Sequence, residues 1–254
     1  MKENQVYLYD GTFIGLLNLI NKLFEVNQKP LNIYKEEDYQ PSLLEEAIKL
    51  ELNDDFDQTK IKLSNNILKT IYYVYLSNES NKELIIYYFL LNAQKYQKKI
   101  FTMRNLKCVT STLKIAKHVS NELHKLKGFL RFKETKNHIL YGEISPTNNI
   151  LELLSKHFAS RLKNEYWIIK DVERNLYSIY DKKKYYIVTG ENLDIKEINM
   201  STEEKEIENL WLSFFKTIGI EARRNKRCQM NFMPKKYWKY IIEMRDEYEK
   251  GNNG

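Results

Sequence analysis

The apolar residues change period near Gly128. Before it they recur every third or fourth position; after it, short runs alternate residue by residue. A 3–4 spacing buries one face of a helix, whereas alternation buries one face of a strand. In the helical part, residues 59–76 carry Ile61, Ile67, Leu68, Ile71 and Tyr75. Residues 82–97 are apolar on nearly every face, which predicts a buried central helix. Residues 105–126 repeat Leu106, Val109, Leu113, Ala116, Val119, Leu123 and Leu126, with Gly128 as the expected stop.

Beyond Gly128, residues 129–144 read as a hairpin turning near Lys136 and Asn137. Pro146 opens a short helix reaching Arg161, and strands follow at 167–172, 176–180 and 185–189. Ser201 with Glu204 three residues on is a capping box for the last long helix. That helix has Ile207, Leu210, Trp211, Phe214, Phe215 and Ile218 as its expected core stripe. Another helix is expected near 235–248, with Pro234 at its start. At the N-terminus, a strand at 5–9 and a helix at 12–24 are joined by Asp10-Gly11-Thr12, a turn able to cap the helix.

This pattern predicts an α+β fold. An antiparallel sheet built from the hairpins in 129–189 is expected, with the 5–9 strand able to join it. It would pack with the helical block 59–126 and the C-terminal helices. Few glycines and prolines punctuate the chain, so residues 1–245 are expected to form a single domain, with 246–254 as a disordered tail.

Charge is distributed unevenly. Residues 36–57 hold nine Asp/Glu against Lys49, while residues 95–133 hold eleven Lys/Arg against a lone acid, Glu122. Residues 216–240 hold eight Lys/Arg against Glu221, a surplus equal to the net +7 of the whole chain. Phe232, Tyr237, Trp238 and Tyr240 are threaded through that last stretch. Cations beside flat π faces suit a phosphate backbone and unstacked bases. A nucleic acid is therefore the expected partner. The contacts would come from Lys107, Lys114, Lys117 and Lys125 on the basic helix, and from Arg223, Lys235, Lys236, Tyr237 and Trp238 near the end.

If residues 129–134 are extended, Phe129, Arg131 and Lys133 share one face, and Leu130, Phe132 and Glu134 the other. Phe129 and Arg131 would then make a nucleotide platform. The same alternation describes a sheet with a basic outer face and an apolar inner pair, and the pattern alone favours that second description.

Acid–base chemistry has four candidates: His157, His124, Glu134 and Asp171. Each has a structural alternative; Asp171, for one, can pair with Arg174 across a turn. An enzyme acting on a nucleobase or nucleotide through a His/carboxylate set is thus an alternative to nucleic-acid binding, and a protein adaptor is another. No phosphate-binding glycine loop, nucleophile elbow or metalloprotease helix occurs. The two cysteines and four scattered histidines offer no zinc or iron–sulfur spacing, so neither a metal nor a cofactor is expected in this chain. The start of the chain leads straight into a strand-like run without a signal peptide, and no apolar run is long enough for a membrane span. A cytoplasmic location is expected.

Several strings occur in order: Tyr9-Asp10-Gly11-Thr12-Phe13, Gln40-Pro41-Ser42, Lys127-Gly128-Phe129-Leu130-Arg131-Phe132, and Glu134-Thr135. They continue with Pro146, Asn149-Ile150-Leu151, His157-Phe158, Arg161, Trp167 and Asp171. They close with Trp211, Phe214-Phe215-Lys216, Arg223-Arg224-Asn225 and Met233-Pro234-Lys235-Lys236-Tyr237-Trp238-Lys239-Tyr240. Together these resemble the bacterial family named probable DNA metabolism protein. Its members are typically encoded beside a putative DNA-modification or repair radical-SAM protein, and some relatives are fused to a uracil-DNA-glycosylase-like domain. The resemblance implies a DNA-repair or modification context and a radical-SAM partner, but supplies no catalytic residue. One departure is Arg223-Arg224, where the family carries a charged pair of either sign, so no role passes to Arg224.

Overall fold

The computed structural model describes residues 5–41, 45–49, 63–192 and 200–252. Its contacts group the chain into two compact units, Met1–Ser120 and Asn121–Gly254, where a single domain over 1–245 is expected from sequence.

In the first unit, β1 (Gln5–Tyr9) is the central strand of a three-stranded parallel sheet. Helix α1 (Phe13–Glu25) leads from it to β2 (Asn32–Lys35), and β3 (Glu46–Lys49) pairs on its other side. The predicted cap is present. Thr12 Oγ1 accepts from the Gly15 amide, and Asp10 accepts from the Thr12 amide at 2.9 Å. Gly11 has φ +80, which favours glycine, and a Cβ on Gly15 would displace the Asp10 carboxylate, whose Oδ1 it would meet at 1.9 Å.

Helices α2 (Asn65–Tyr75) and α3 (Lys82–Tyr96) complete the unit's core with the first part of α4 (Lys107–Phe129). The expected start of α2 at Thr59 lies outside the described residues. Helix α3 is the predicted central helix, burying Ile86, Tyr87, Phe89, Leu90 and Ala93. Its buried Glu83 accepts a 3.0 Å hydrogen bond from the Tyr9 hydroxyl, so a buried polar group has a partner. The 5–9 strand thus belongs to its own parallel sheet and does not join the 129–189 strands.

The second unit holds a five-stranded sheet of β4 (Lys133–Glu134), β5 (Leu140–Ile144), β6 (Trp167–Asp171), β7 (Leu176–Tyr180) and β8 (Tyr185–Thr189), ordered as numbered. The expected all-antiparallel sheet is corrected at one pair: β5 and β6 run parallel. Parallel neighbours need a long crossover, and the segment opened by Pro146, containing α5 (Leu151–Arg161), supplies it. Helix α5 packs on this sheet through Leu154, Ser155 and Phe158. Trp167 and Tyr180 stack at 5.0 Å beneath it, and Phe132 meets Phe158 edge-on at 5.1 Å.

Helix α4 does not stop at Gly128. It continues to Phe129, and residues 130–132 precede the short strand β4. Phe129, Arg131 and Lys133 therefore do not lie along one strand. The inward placement of Leu130 and Phe132 does hold: Leu130 is buried and Phe132 rests on Phe158 and Trp167.

The chain ends in α6 (Thr202–Ile218), α7 (Lys226–Phe232), a 3-10 turn at Lys235–Tyr240, and α8 (Arg245–Asn252). Helix α8 occupies most of the region where a disordered tail is expected. Ser201 caps α6 by accepting from the Glu204 amide. The Glu204 carboxylate does not close the box on Ser201; it accepts from the Glu134 amide at 2.8 Å and ties α6 to β4. The expected core stripe of α6 is only partly covered: Ile207, Leu210, Phe214 and Ile218 are all more than half exposed. Among the described residues no helix is long and apolar enough to cross a membrane.

Candidate nucleic-acid interface

The lone acid of the basic stretch organises the second unit. Glu122 stands on the apolar face of α4, between Val119 and Leu126 in helical register, and is buried. Its carboxylate accepts from the amides of Thr147 at 3.0 Å and Asn148 at 2.9 Å, and from the Asn148 side chain at 2.6 Å. It also accepts from Lys236 Nζ at 2.5 Å and the Tyr237 hydroxyl at 3.0 Å. Burial pushes this carboxyl up, but the Lys236 hydrogen bond, the two amides and the Lys236 charge outweigh it and hold the group at about 2. Beside this ionised carboxylate, the Tyr237 hydroxyl is pushed up, first by burial and then by the Glu122 charge.

This network accounts for the unusual Lys235–Tyr240 string. Pro234 begins the turn, Tyr237 and Trp238 point into the core at 2% and 4% exposure, and Trp238 Nε1 donates to the Met233 carbonyl at 2.8 Å. Phe129 packs on Tyr237 with ring centres 5.7 Å apart. The stacking on bases expected of Phe129, Tyr237 and Trp238 is therefore corrected for the two buried rings: their faces meet protein. Lys236 is tied to Glu122 and Thr147, while Lys235 is exposed and reaches over the Trp238 ring at 6.0 Å.

Arg131 is likewise engaged. Its guanidinium lies 4.8 Å from the Trp211 ring centre and 3.7 Å from Glu243, which also accepts from the Trp211 indole N–H. Lys133 pairs with Glu208 at 2.5 Å. The cations flanking Phe129 in sequence thus fasten α6 and the segment after it to the rest of the unit.

The open cations lie elsewhere. In the first unit Lys107, Lys114 and Lys117 are exposed along one face of α4. Lys125, farther along the same helix, is half-buried. In the second unit Arg223, Lys226 and Arg227 are exposed around the start of α7, which Asn225 caps by accepting from the Cys228 amide. Arg224 pairs with Glu247. At the end of α7, Phe232 is 74% exposed, the most open large apolar side chain among the described residues. Its place in the aromatic series of residues 216–240 was the signal for it, although the contacts expected from sequence fall on its neighbours Tyr237 and Trp238.

Of the four acid–base candidates, Asp171 and Glu134 have separate local partners. Asp171 is fully buried and receives the Glu173 and Arg174 amides and the Arg174 guanidinium, the last at 3.1 Å, which is the pairing across a turn that the sequence allows. Burial raises its carboxyl, against the opposing pull of Arg174. Glu134 contacts His138 Nδ1 at 2.6 Å. His124 is exposed on α4. His157 is pushed down by burial and then by the Lys127 and Arg161 charges; the groups acting on it are cations rather than a carboxylate. Among the described residues no group of three His, Cys, Asp or Glu could hold a metal ion.

Residues 80–243 match the model of a domain of unknown function, DUF4130. The chain belongs to that family. The DUF4130 match begins just ahead of α3 and ends after the Lys235–Tyr240 turn, so it takes in Glu122, the five-stranded sheet, α6 and the buried Tyr237–Trp238 pair. No curated protein matches the chain.

Proposed function

We infer that this protein binds DNA, as an accessory of repair or modification working with a radical-SAM protein in the cytoplasm. The observation that carries the inference is the exposed group Arg223, Lys226, Arg227 and Phe232. Cations that neutralise phosphates release condensed counterions, and an open ring at the other end of the same short helix gives an unpaired base a surface to stack on. Exposed Lys235 adds a further charge, and the Lys107, Lys114 and Lys117 face of α4 gives the first unit a cationic strip of its own. The repair context and the partner come from the family resemblance. An acid–base enzyme is the weaker reading, because Asp171 and Glu134 are each engaged locally and the charges acting on His157 are positive.

The test is fluorescence anisotropy with labelled single-stranded DNA, duplex DNA and RNA across a salt series. Binding to DNA that weakens steeply with salt supports the inference. No binding at low salt overturns it.

A further inference from the structure

We propose that the exposed face of α6 is the seam of a symmetric dimer, covered by α6 of a second copy running antiparallel. The face is built of Ile207, Leu210, Phe214 and Ile218, which are 56%, 70%, 54% and 56% exposed. Their spacing places them on one side of the helix, so they form a stripe rather than scattered apolar residues. The adjoining side of the same helix is the fastened one, through Glu204, Glu208 and Trp211.

Two observations select a second copy as the occupant. The first is the arrangement of the stripe, which is nearly palindromic. Leu210 and Phe214 stand equally far from position 212, and Ile207 and Ile218 extend the pattern by similar steps on either side. A two-fold contact requires a patch complementary to itself, in which one residue meets a second and the second meets the first. Antiparallel pairing sets Leu210 of each copy beside Phe214 of the other, and Ile207 beside Ile218.

The second observation is charge. Exposed Glu206 lies near the start of α6, while exposed Arg223, Lys226 and Arg227 follow its end. Parallel pairing would bring the two cationic ends together. Antiparallel pairing places them at opposite ends of the seam, near the acidic starts, and also opposes the helix dipoles. The seam is independent of DNA binding and stands or falls by mass and geometry alone.

Sedimentation equilibrium of the full chain over a range of concentrations tests the proposal. The expected species is a dimer that Leu210→Glu or Phe214→Glu weakens at least about tenfold in dissociation constant, near 1.4 kcal/mol. Both side chains are exposed, so circular dichroism should show the fold retained. A monomer at every concentration overturns the proposal, and so does a dimer unaffected by both substitutions. Orientation is tested with single spin labels, in a chain with Cys108 and Cys228 replaced by serine. Labels at Ser213 should lie close to each other across the dimer, and labels at Glu206 roughly 15 Å farther apart along the helix axis. Equal short distances at both positions would mean a parallel pair and overturn the antiparallel seam.

Discussion

Lys236 Nζ lies 2.5 Å from Glu122 Oε1, joining residues 114 positions apart in the chain. This ion pair ties the terminal Lys235–Tyr240 turn to α4, and the Thr147 and Asn148 amides bind the start of the α5 crossover to the same carboxylate. Removing the charge while keeping the shape should expose its contribution. Glu122→Gln is expected to destabilise the protein by roughly 2–3 kcal/mol, because a buried charged acceptor with several donors is replaced by a neutral amide. Urea denaturation measures it, and a loss well below 1 kcal/mol would contradict the role given to Glu122.

The same carboxyl sets a pH dependence. Its folded value, about 2, lies below the ordinary 4.5. A depressed acid contributes stability that is fully present above the ordinary value and is lost as pH falls toward the folded one. The gap in urea midpoint between the parent protein and Glu122→Gln should therefore be constant near neutrality and narrow between pH 4.5 and about 2. A gap independent of pH across that window would mean that the Glu122 carboxyl binds its proton alike in the folded and unfolded chain, against the ion-pair role given to it.

Tyr237 and Trp238 separate core roles from base-stacking roles. Trp238→Ala should cost about 3–5 kcal/mol of stability, as for a large buried ring. Tyr237→Phe keeps the ring and should lose about 1 kcal/mol with the hydroxyl. A base-stacking role would instead lower DNA affinity and leave stability intact.

The Arg131 guanidinium lies over the Trp211 ring, a cation–π placement that suits a planar, weakly hydrated cation. Arg131→Lys keeps the charge yet should not restore the stability removed by Arg131→Ala, on the order of 1 kcal/mol. Equal melting temperatures for Arg131→Lys and the parent protein would show that charge alone suffices.

Much of the fold is legible locally. The Asp10–Thr12 cap, the buried α3, the Ser201 cap and the Asp171–Arg174 turn all rest on residues a few positions apart. What the sequence hides is long-range. Alternation around Gly128 suits a strand, but Leu126 and Leu130 continue the helical register, and nothing opposes a glycine within the last turn of α4. A stripe such as that of α6 shows that a face is apolar without showing what covers it. Lysine beside tyrosine and tryptophan looks alike on an open platform and in a buried turn; the difference lies in Glu122, more than a hundred residues earlier. The signal for Glu122 was available, since the only acid in a basic stretch also stood on the apolar face of its helix.

DNA binding through the exposed cations and Phe232 is tested most directly by anisotropy of labelled DNA across salt. The parent protein should bind with a steep salt dependence. Arg223→Glu with Arg227→Glu should weaken binding to all sequences alike and reduce the salt slope by about one for each phosphate left without its cation. Phe232→Ala should weaken single-stranded binding by roughly 1–3 kcal/mol with stability unchanged. Affinity and salt slope that do not move in any of these variants would contradict the claim.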